Sequence, residues 1–336
     1  MLGFDSTLTV PGCSKKRGVT VWGIPVRVMT KGLVPVESLK ADSFVLLENG
    51  VRKALCGVVH GREPSSIGIL LDRSGSMGYR FNGLALATAG INQLLDTSSP
   101  EDEYFLGYAD DGPTRRRSFT RDLGMIRSGL QGGSKGKTSV VDAVFSALQS
   151  MRGAHHLNRA LLVISDGYDN ASTRTFGELA RLLSDSPIPV FVIVPVDPFS
   201  RVGSGPSVPE TELAARTDLS RLANGSGGYL RTVSSKKDMT LAVTTLAATI
   251  RSPYVLYFQA TGGHADRPGE VTVRIEGVSP LPILLFRGGR RHTQWVLQTR
   301  SDAPKLMMTF AAVLGGTAFA GATALGTRFP KSRIRS

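Results

Sequence analysis

The chain has 336 residues, of which 41% are hydrophobic and 20% are charged. These proportions are typical of globular proteins and exclude a chain that is disordered throughout. The formal net charge is +13. The basic residues are scattered and are not interleaved with aromatic side chains, which argues against nucleic-acid binding. A charge of this size favours solubility, or contact with acidic proteins, acidic glycans or anionic lipid.

The N-terminal segment gives little sign of ordered structure. Residues 1–18 contain neither a basic segment nor a continuous apolar run, so they lack the pattern of a signal peptide, and we expect them to be disordered. The chain contains two cysteines, Cys13 and Cys56. They are too few for a thiolate metal cluster and allow at most one disulfide, so they leave the redox compartment open.

The first predicted elements are β-strands. Residues 19–22 and 24–28 are rich in β-branched side chains and partly alternate in polarity. An apolar run then leads into Asn49 and Gly50, a pair typical of two-residue hairpin turns, and a return strand follows. The pattern predicts a small β module over residues 19–65, docked on the segment that follows.

Residues 66–251 show the pattern of an α/β domain. Continuous apolar runs at 67–71, 104–108, 160–164 and 190–194 are typical of parallel strands that are buried on both faces. The intervening segments carry apolar residues at helical spacing. This alternation predicts a doubly wound, mostly parallel sheet of the Rossmann-like kind, with right-handed crossovers and helices on both faces.

The C-terminal part contains strands and then an uncharged run. Residues 252–290 again show strand patterns, and we expect them to join the N-terminal β module. Residues 306–327 contain no charged side chain. A helix of that length rises about 33 Å, enough to cross a bilayer core of about 30 Å. We predict a transmembrane helix over residues 305–327; a flexible Ala/Gly tail is the alternative.

Side chains with oxygen atoms follow two of the predicted buried strands. Asp72, Ser74 and Ser76 come directly after the first apolar run, and Asp166 comes after the third. Because the carboxyl ends of parallel strands meet at one edge of the sheet, we expect these side chains to lie together, joined there by Thr138 from another loop. Hard oxygen ligands suit Mg²⁺, Mn²⁺ or Ca²⁺ rather than Zn²⁺. With two negative charges, the site would leave the ion able to bind an incoming carboxylate.

These residues form three separated motifs that resemble a known site. The D-x-S-x-S sequence that starts at Asp72, the Thr138 that stands four residues before Asp142, and the Ser-Asp-Gly sequence around Asp166 resemble the metal-ion-dependent adhesion site of von Willebrand factor A domains. The resemblance implies a divalent cation, for which we expect Mg²⁺ with Mn²⁺ or Ca²⁺ as alternatives. It also implies a protein partner whose exposed Asp or Glu completes the coordination.

The resemblance extends beyond the metal motifs to about residues 19–286. The N-terminal module, the Gly-rich segment at 222–228 and the strand at 252–257 look like the bacterial VWFA-related family. Members of that family are mostly expected to be exported and have no assigned activity. The resemblance therefore implies that the folded part of this chain is extracytoplasmic. The chain departs from the family in its uncharged run at 306–327, which adds the expectation that it is associated with a membrane.

Several neighbouring residues have competing interpretations. Tyr79 and Arg80 are expected at the rim of the metal site, where they either contact an acidic partner or face solvent. Asp142 begins a predicted helix, where a carboxylate offsets the helix dipole, so we expect a structural role. Asp169 and Asn170 are expected to close a loop rather than to bind metal.

A phosphate-binding loop is a further interpretation, which the sequence disfavours. Residues 132–138 resemble a P-loop, but Gln131 stands where the first glycine is required, and the preceding segment is helical rather than a strand. We therefore do not expect nucleotide binding.

The sequence favours a metal-ion-dependent protein-binding module that is anchored in a membrane and is not an enzyme. One alternative is a metal-dependent hydrolase that uses Asp72 and Asp166, and another is a docking subunit of a membrane complex. In phosphatases that are phosphorylated on aspartate, a second carboxylate follows two residues later. This chain has Ser74 there, and a hydroxyl is too weak a general acid at neutral pH.

Overall fold

The structure is a computed structural model, and it describes a defined part of the chain. The described residues are 13, 21–30, 35–61, 64–79, 82–109, 118–184, 188–197, 210–251, 253–259, 271–275 and 284–286. The predicted disordered segment, Cys13 excepted, and the predicted transmembrane helix lie outside these residues. None of the helices in the described part is long and apolar enough to span a membrane.

Strands and helices alternate through the middle of the chain, and strands alone occupy both ends. The strands are β1 (Val21–Met29), β2 (Phe44–Glu48), β3 (Val51–Lys53), β4 (Leu55–His60), β5 (Ser65–Leu71), β6 (Glu103–Tyr108), β7 (Asn158–Ile164), β8 (Val190–Pro195), β9 (Leu230–Val233), β10 (Tyr254–Gln259), β11 (Val271–Ile275) and β12 (Leu284–Phe286). The helices are α1 (Gly75–Tyr79), α2 (Gly83–Asp96), α3 (Leu123–Gly129), α4 (Val140–Ser150), α5 (Phe176–Ser184), α6 (Glu210–Ser226) and α7 (Lys236–Arg251).

The central sheet has the strand order β6-β5-β7-β8-β9, and all of its pairings are parallel. Side chains alternate between the two faces of a strand, and both faces are covered here. Ile67 and Ile69 pack in one core with side chains of α2 and α7, whereas Leu70 packs in a second core with side chains of α4, α5 and α6. Burial on both faces explains the continuous apolar runs, and the predicted doubly wound α/β fold is confirmed.

The described strands that precede the central sheet pair with those that follow it, in two small sheets. The first has the order β12-β1-β10-β4 and the second the order β11-β2-β3. Trp22, Phe44, Tyr254 and Phe258 are buried in the core that these sheets share. The sequence did not identify β4, since its residues are only half-buried and lack a clear alternation. This strand pairs with β10.

A buried polar joint connects these strands to the central sheet. Arg27 in β1 donates hydrogen bonds to Asn158 Oδ1 and, at 3.1 Å, to the carbonyl oxygen of Arg159. Asn158 Nδ2 in turn donates to Ser65 Oγ at 2.8 Å and to the Ile250 carbonyl at 2.7 Å. Burial lowers the pKa of Arg27 to about 10. Asn158 and Ser65 begin parallel strands, so the joint lies at the amino edge of the sheet.

The two cysteines form one disulfide. Cys13 is bonded to Cys56 in β4, with a Cα–Cα distance of 4.7 Å. The bond attaches Cys13 to the sheet formed by β12, β1, β10 and β4, which contains the first and the last of the described strands.

Candidate metal site

Two buried carboxylates lie at the carboxyl edge of the central sheet. Asp72 follows β5, and its backbone N–H donates to the carbonyl oxygen of Ile164 at 2.9 Å, which continues the ladder between β5 and β7. Asp166 lies two residues beyond the end of β7. Asp72 is 0% exposed and Asp166 is 4% exposed. The parallel register therefore brings both aspartates to the same edge, as the sequence predicted.

The loop after β5 turns back on Asp72 and places two hydroxyls beside it. Asp72 Oδ1 accepts a hydrogen bond from the backbone N–H of Ser74 at 2.9 Å, and Asp72 Oδ2 accepts one from Ser165 Oγ at 2.6 Å. The Oγ atoms of Ser74 and Ser76 are 3.0 Å apart. Ser74 is buried and Ser76 is half-buried. One carboxylate and two hydroxyls thus gather on a single turn.

Thr138 is attached to the loop that follows Asp166. Its backbone N–H donates to Asn170 Oδ1 at 2.9 Å, and its carbonyl oxygen accepts from the backbone N–H groups of Asn170 and Ala171 at 3.0 and 2.9 Å. Thr138 is 1% exposed. These bonds give Thr138 a defined position next to the loop that carries Asp166.

The segment before Thr138 forms one wall of this edge. The backbone N–H of Lys135 donates to the Arg73 carbonyl at 2.8 Å, and that of Gly75 donates to the Gly136 carbonyl at 3.3 Å. A Cβ on Gly78 would lie 1.8 Å from Ser134 Oγ, so a larger residue at position 78 would force the Ser134 side chain to move. The segment that resembles a P-loop therefore packs against the D-x-S-x-S loop, and α3 precedes it, as predicted.

The electrostatics of the site favour a bound cation. Burial, followed by the negative charge of Asp166, raises the pKa of Asp72 to about 7, and hydrogen bonds from Ser165 and Ser74 only partly oppose this rise. Burial and the second carboxylate thus make ionisation of Asp72 unfavourable, and a divalent cation bound by both aspartates would offset that penalty. The hydroxyl and carboxylate oxygens fit a hard ion such as Mg²⁺.

The types of side chain at this edge also indicate which kind of metal ion would suit the site. Among the described residues, no group of three or more His, Cys, Asp or Glu side chains is placed to bind a metal. The donor set at this edge consists of two carboxylates and several hydroxyls. It lacks the nitrogen and sulfur ligands that Zn²⁺ prefers.

Asp142 accepts hydrogen bonds from the loop that follows Asp166. Its Oδ2 accepts from the N–H and Oγ1 of Thr173, both at 2.9 Å, and its Oδ1 accepts from the N–H and Nη1 of Arg174, both at 3.1 Å. Burial acts to raise the pKa of Asp142, but these hydrogen bonds outweigh it and lower the pKa. Asp142 lies in the first turn of α4, as the sequence predicted, but its hydrogen bonds to Thr173 and Arg174 were not predicted.

Asp169 accepts a hydrogen bond from a backbone N–H in the first turn of α4. Its Oδ2 accepts from the backbone N–H of Val141 at 2.8 Å and from Ser172 Oγ at 2.7 Å, and its Oδ1 accepts from the backbone N–H of Ser172 at 3.0 Å. Asp169 therefore joins its own loop to a helix N-terminus, as predicted. Asn170 joins the same loop to the segment before α4 through its hydrogen bonds with Thr138.

The two predicted partner contacts are not described. Tyr79 ends α1, but its side chain lies outside the described residues, as does the whole of Arg80. Sequence reasoning missed Ser165, although it stands within the Ser-Asp-Gly motif. It also missed Arg73, whose guanidinium carbon lies 5.0 Å from the centre of the Tyr108 ring. Arg73 occupies a variable position of the D-x-S-x-S motif, so the motif does not predict that contact.

Comparison with known proteins gives one family match. A family model of the von Willebrand factor type A domain matches residues 67–168. A search of curated proteins finds no significant match. The narrower resemblance to the bacterial VWFA-related family is not tested by these comparisons and stays a prediction.

Several solved structures are similar to this chain. The BatB protein of Bacteroides thetaiotaomicron is 19% identical, with a TM-score of 0.43 over 55% of this chain and 98% of its own. A von Willebrand factor type A protein from Catenulispora acidiphila is 12% identical, with a TM-score of 0.46 over 85% and 72%. The vWF domain of the type V pili tip protein Mfa5 from Porphyromonas gingivalis is 12% identical, with a TM-score of 0.39 over 56% and 95%.

The family match covers β5 and the loops that carry the predicted ligands up to Asp166. Those loops hold the D-x-S-x-S sequence, Thr138 and the Ser-Asp-Gly sequence in the order that the resemblance implied. Residues 67–168 of this chain match the von Willebrand factor type A domain family.

Proposed function

We propose that this chain is a protein-binding module that binds an acidic group of its partner through a divalent cation. The cation, Mg²⁺ first and Mn²⁺ or Ca²⁺ as alternatives, would be held by oxygen atoms at the carboxyl edge of the central sheet. The proposed ligands are Asp72, Ser74, Ser76, Thr138 and Asp166.

The proposal rests most directly on the two aspartates. Asp72 and Asp166 are buried at adjacent strand ends, and the negative charge of one raises the pKa of the other. Isolated buried carboxylates are costly, so a pair of them beside clustered hydroxyls is best explained by a cation that neutralises both.

The same charge count explains why the partner would be acidic. Two carboxylates balance the charge of a divalent ion and leave the hydroxyl ligands neutral. An Asp or Glu from a partner can then replace a water molecule on the ion without a large excess of negative charge. The bond would be charge-assisted and partly dehydrated, which makes it strong.

The structure gives an argument against the hydrolase alternative. The side chain of Asp72 is fully buried and both of its oxygens accept hydrogen bonds within the protein, so it is poorly placed to attack a substrate as a nucleophile, whereas a metal ligand only has to reach an ion held inside the site. We therefore propose that the ion serves in binding and that the chain does not catalyse hydrolysis.

We further propose that different parts of the chain have different roles. Residues 66–251 act as the binding domain, and residues 19–65 and 252–290 form one supporting β module. The antiparallel pairings of β1 with β10 and of β2 with β11 support this grouping, since each joins a strand from one end of the chain to a strand from the other.

The location is proposed from the disulfide and the uncharged run. A disulfide between Cys13 and Cys56 persists in an oxidising compartment, which favours an extracytoplasmic location for the β module. The run at 306–327 is proposed as the membrane anchor. Fractionation of cells that express the full chain, or the chain ended after Lys305, tests the anchor: only the full chain should remain in the membrane pellet.

Calorimetric titration with Mg²⁺ tests the proposed metal site. The protein should bind one ion with an affinity in about the micromolar-to-millimolar range. Asp72→Asn keeps the shape of the side chain and should abolish binding. Asp96→Asn removes a charge from an exposed side chain at the far end of α2 and should leave binding unchanged. Equal affinities in the two variants would contradict the proposal.

A further inference from the structure

Three basic residues belong to the two loops that carry Asp72 and Thr138. Arg73 lies between Asp72 and Ser74 in the D-x-S-x-S loop, and Lys135 and Lys137 lie in the segment that leads to Thr138. Lys135 and Lys137 are exposed and Arg73 is half-buried. We call these three residues the basic rim.

The rim is attached to the metal loop by backbone contacts. Lys135 donates its N–H to the Arg73 carbonyl, and the Gly136 carbonyl accepts from the N–H of Gly75. Lys137 directly precedes Thr138, so their Cα atoms are about 3.8 Å apart. The guanidinium of Arg73 is placed by Gly133, whose carbonyl accepts from Nη2 at 3.3 Å, and by the Tyr108 ring. The backbone at Lys135 and Lys137 and the guanidinium of Arg73 are therefore held beside the metal loop.

The rim has positive charge that the described structure does not neutralise. Among the described residues, no ion pair involves Arg73, Lys135 or Lys137. The described carboxylates of the neighbouring loops are engaged elsewhere, because Asp142 bonds Thr173 and Arg174 and Asp169 bonds Ser172 and α4.

We propose that the partner presents a cluster of acidic side chains rather than a lone carboxylate. One carboxylate would bind the ion, and its neighbours would contact the basic rim. The inference rests on the metal-dependent binding proposed above and adds the class of partner. With a divalent ion balanced by Asp72 and Asp166, the charge of the rim is left to attract further anions, which strengthens binding and steers the approach of the partner.

Two synthetic peptides with blocked termini test the proposal on the folded chain. Both have a Gly/Ser background; one carries a single Asp and the other a run of Asp residues. Affinities are measured by fluorescence anisotropy in saturating Mg²⁺ and in EDTA. In Mg²⁺ the peptide with the run should bind at least about tenfold more tightly, which corresponds to about 1.4 kcal/mol. Neither peptide should bind in EDTA.

Matched variants assign the gain to the rim. Lys135→Gln with Lys137→Gln should remove most of the tenfold advantage and leave the single-Asp peptide and the calorimetric Mg²⁺ affinity within about twofold. Lys40→Gln with Arg152→Gln removes the same charge from exposed positions on the β module and near the start of β7. That control should leave both peptides unchanged.

The outcomes separate failure of this inference from failure of the proposed function. Equal, EDTA-sensitive affinities for the two peptides would overturn the acidic cluster and leave metal-dependent binding standing. The same holds if the rim variant and the control behave alike. Binding of the Asp-run peptide that survives EDTA, or no binding of it at millimolar concentration, would overturn both.

Discussion

Thr138 and Asn170 hold each other in a reciprocal pair of hydrogen bonds. The Thr138 N–H donates to Asn170 Oδ1 at 2.9 Å, and the Asn170 N–H donates to the Thr138 carbonyl at 3.0 Å. The pair joins the loop before α4 to the loop after Asp166, while the N–H of Asp72 bonds the last residue of β7. The three loops that carry the proposed ligands are therefore connected to one another without a metal, which is how binding sites are preorganised.

Asn170→Ala should weaken both the fold and the metal site. It leaves the buried N–H of Thr138 without its acceptor, which costs about 1–3 kcal/mol, and it releases one of the proposed ligands. Chemical denaturation should show that loss, and calorimetry should show a Mg²⁺ affinity lower by about tenfold. Asn224→Ala, at an exposed position in α6, should change stability by less than about 0.5 kcal/mol. Wild-type stability and metal affinity in Asn170→Ala would refute the role given to this pair.

Acid should release the metal near neutral pH. The pKa of Asp72 is raised to about 7, well above the ordinary value near 4, so the folded state holds a proton that the unfolded state has lost. Between these pH values the metal-free fold is destabilised as pH rises, and protons compete with the cation for Asp72. Mg²⁺ affinity should therefore fall by about tenfold for each pH unit below about 7.

Thermal unfolding between about pH 5 and pH 7 checks the sign of this effect. In EDTA, the Tm of the wild type relative to Asp72→Asn should fall as pH rises. In Mg²⁺ the wild type should gain Tm as pH rises, and Asp72→Asn should not. A Mg²⁺ affinity that is constant over this range would show that Asp72 does not ionise on binding.

Disruption of the polar joint at the amino edge should lower the stability of the protein without changing its affinity for Mg²⁺. Arg27→Met leaves Asn158 Oδ1 and the Arg159 carbonyl without their donor, so the free energy of unfolding should fall by about 1–3 kcal/mol. The joint lies at the edge of the sheet opposite the site, so Mg²⁺ affinity should stay within about twofold. Arg52→Met, at an exposed position in β3, is the control and should be nearly neutral. An Arg27→Met protein as stable as the wild type would show that the joint contributes nothing.

Hydrolysis should be absent under conditions that load the site. Because Asp72 is fully buried, phosphatase, ATPase and esterase assays with Mg²⁺ or Mn²⁺ should give rates at background. Preparations of Asp72→Asn made in the same way set that background. A turnover seen in the wild type and lost in Asp72→Asn would support the hydrolase alternative instead.

The sequence predicted the central fold well because the relevant signals are local. Each strand buried on both faces is a continuous apolar run, and Asp72 and Asp166 each follow such a run closely, so the parallel sheet brings them to one edge. The carboxylate of Asp142 was likewise interpretable from its place at the start of a helix.

Other features depend on contacts between distant parts of the chain. The bond between Arg27 and Asn158 joins residues 131 positions apart, and neither residue type indicates a partner at that distance. The pairing of β4 with β10 was missed for the same reason. The contact of Arg73 with Tyr108 depends on how two loops pack, which no periodic pattern encodes.

A crystal structure of the protein grown with Mn²⁺, with anomalous scattering measured at the manganese edge, tests the central claim most directly. The account predicts one anomalous peak at the carboxyl edge of the sheet, bounded by oxygens of Asp72, Ser74, Ser76, Thr138 and Asp166. The nearest oxygens should be about 2.0–2.3 Å away. A well-ordered crystal in which this position shows no anomalous signal at saturating Mn²⁺ would contradict the account.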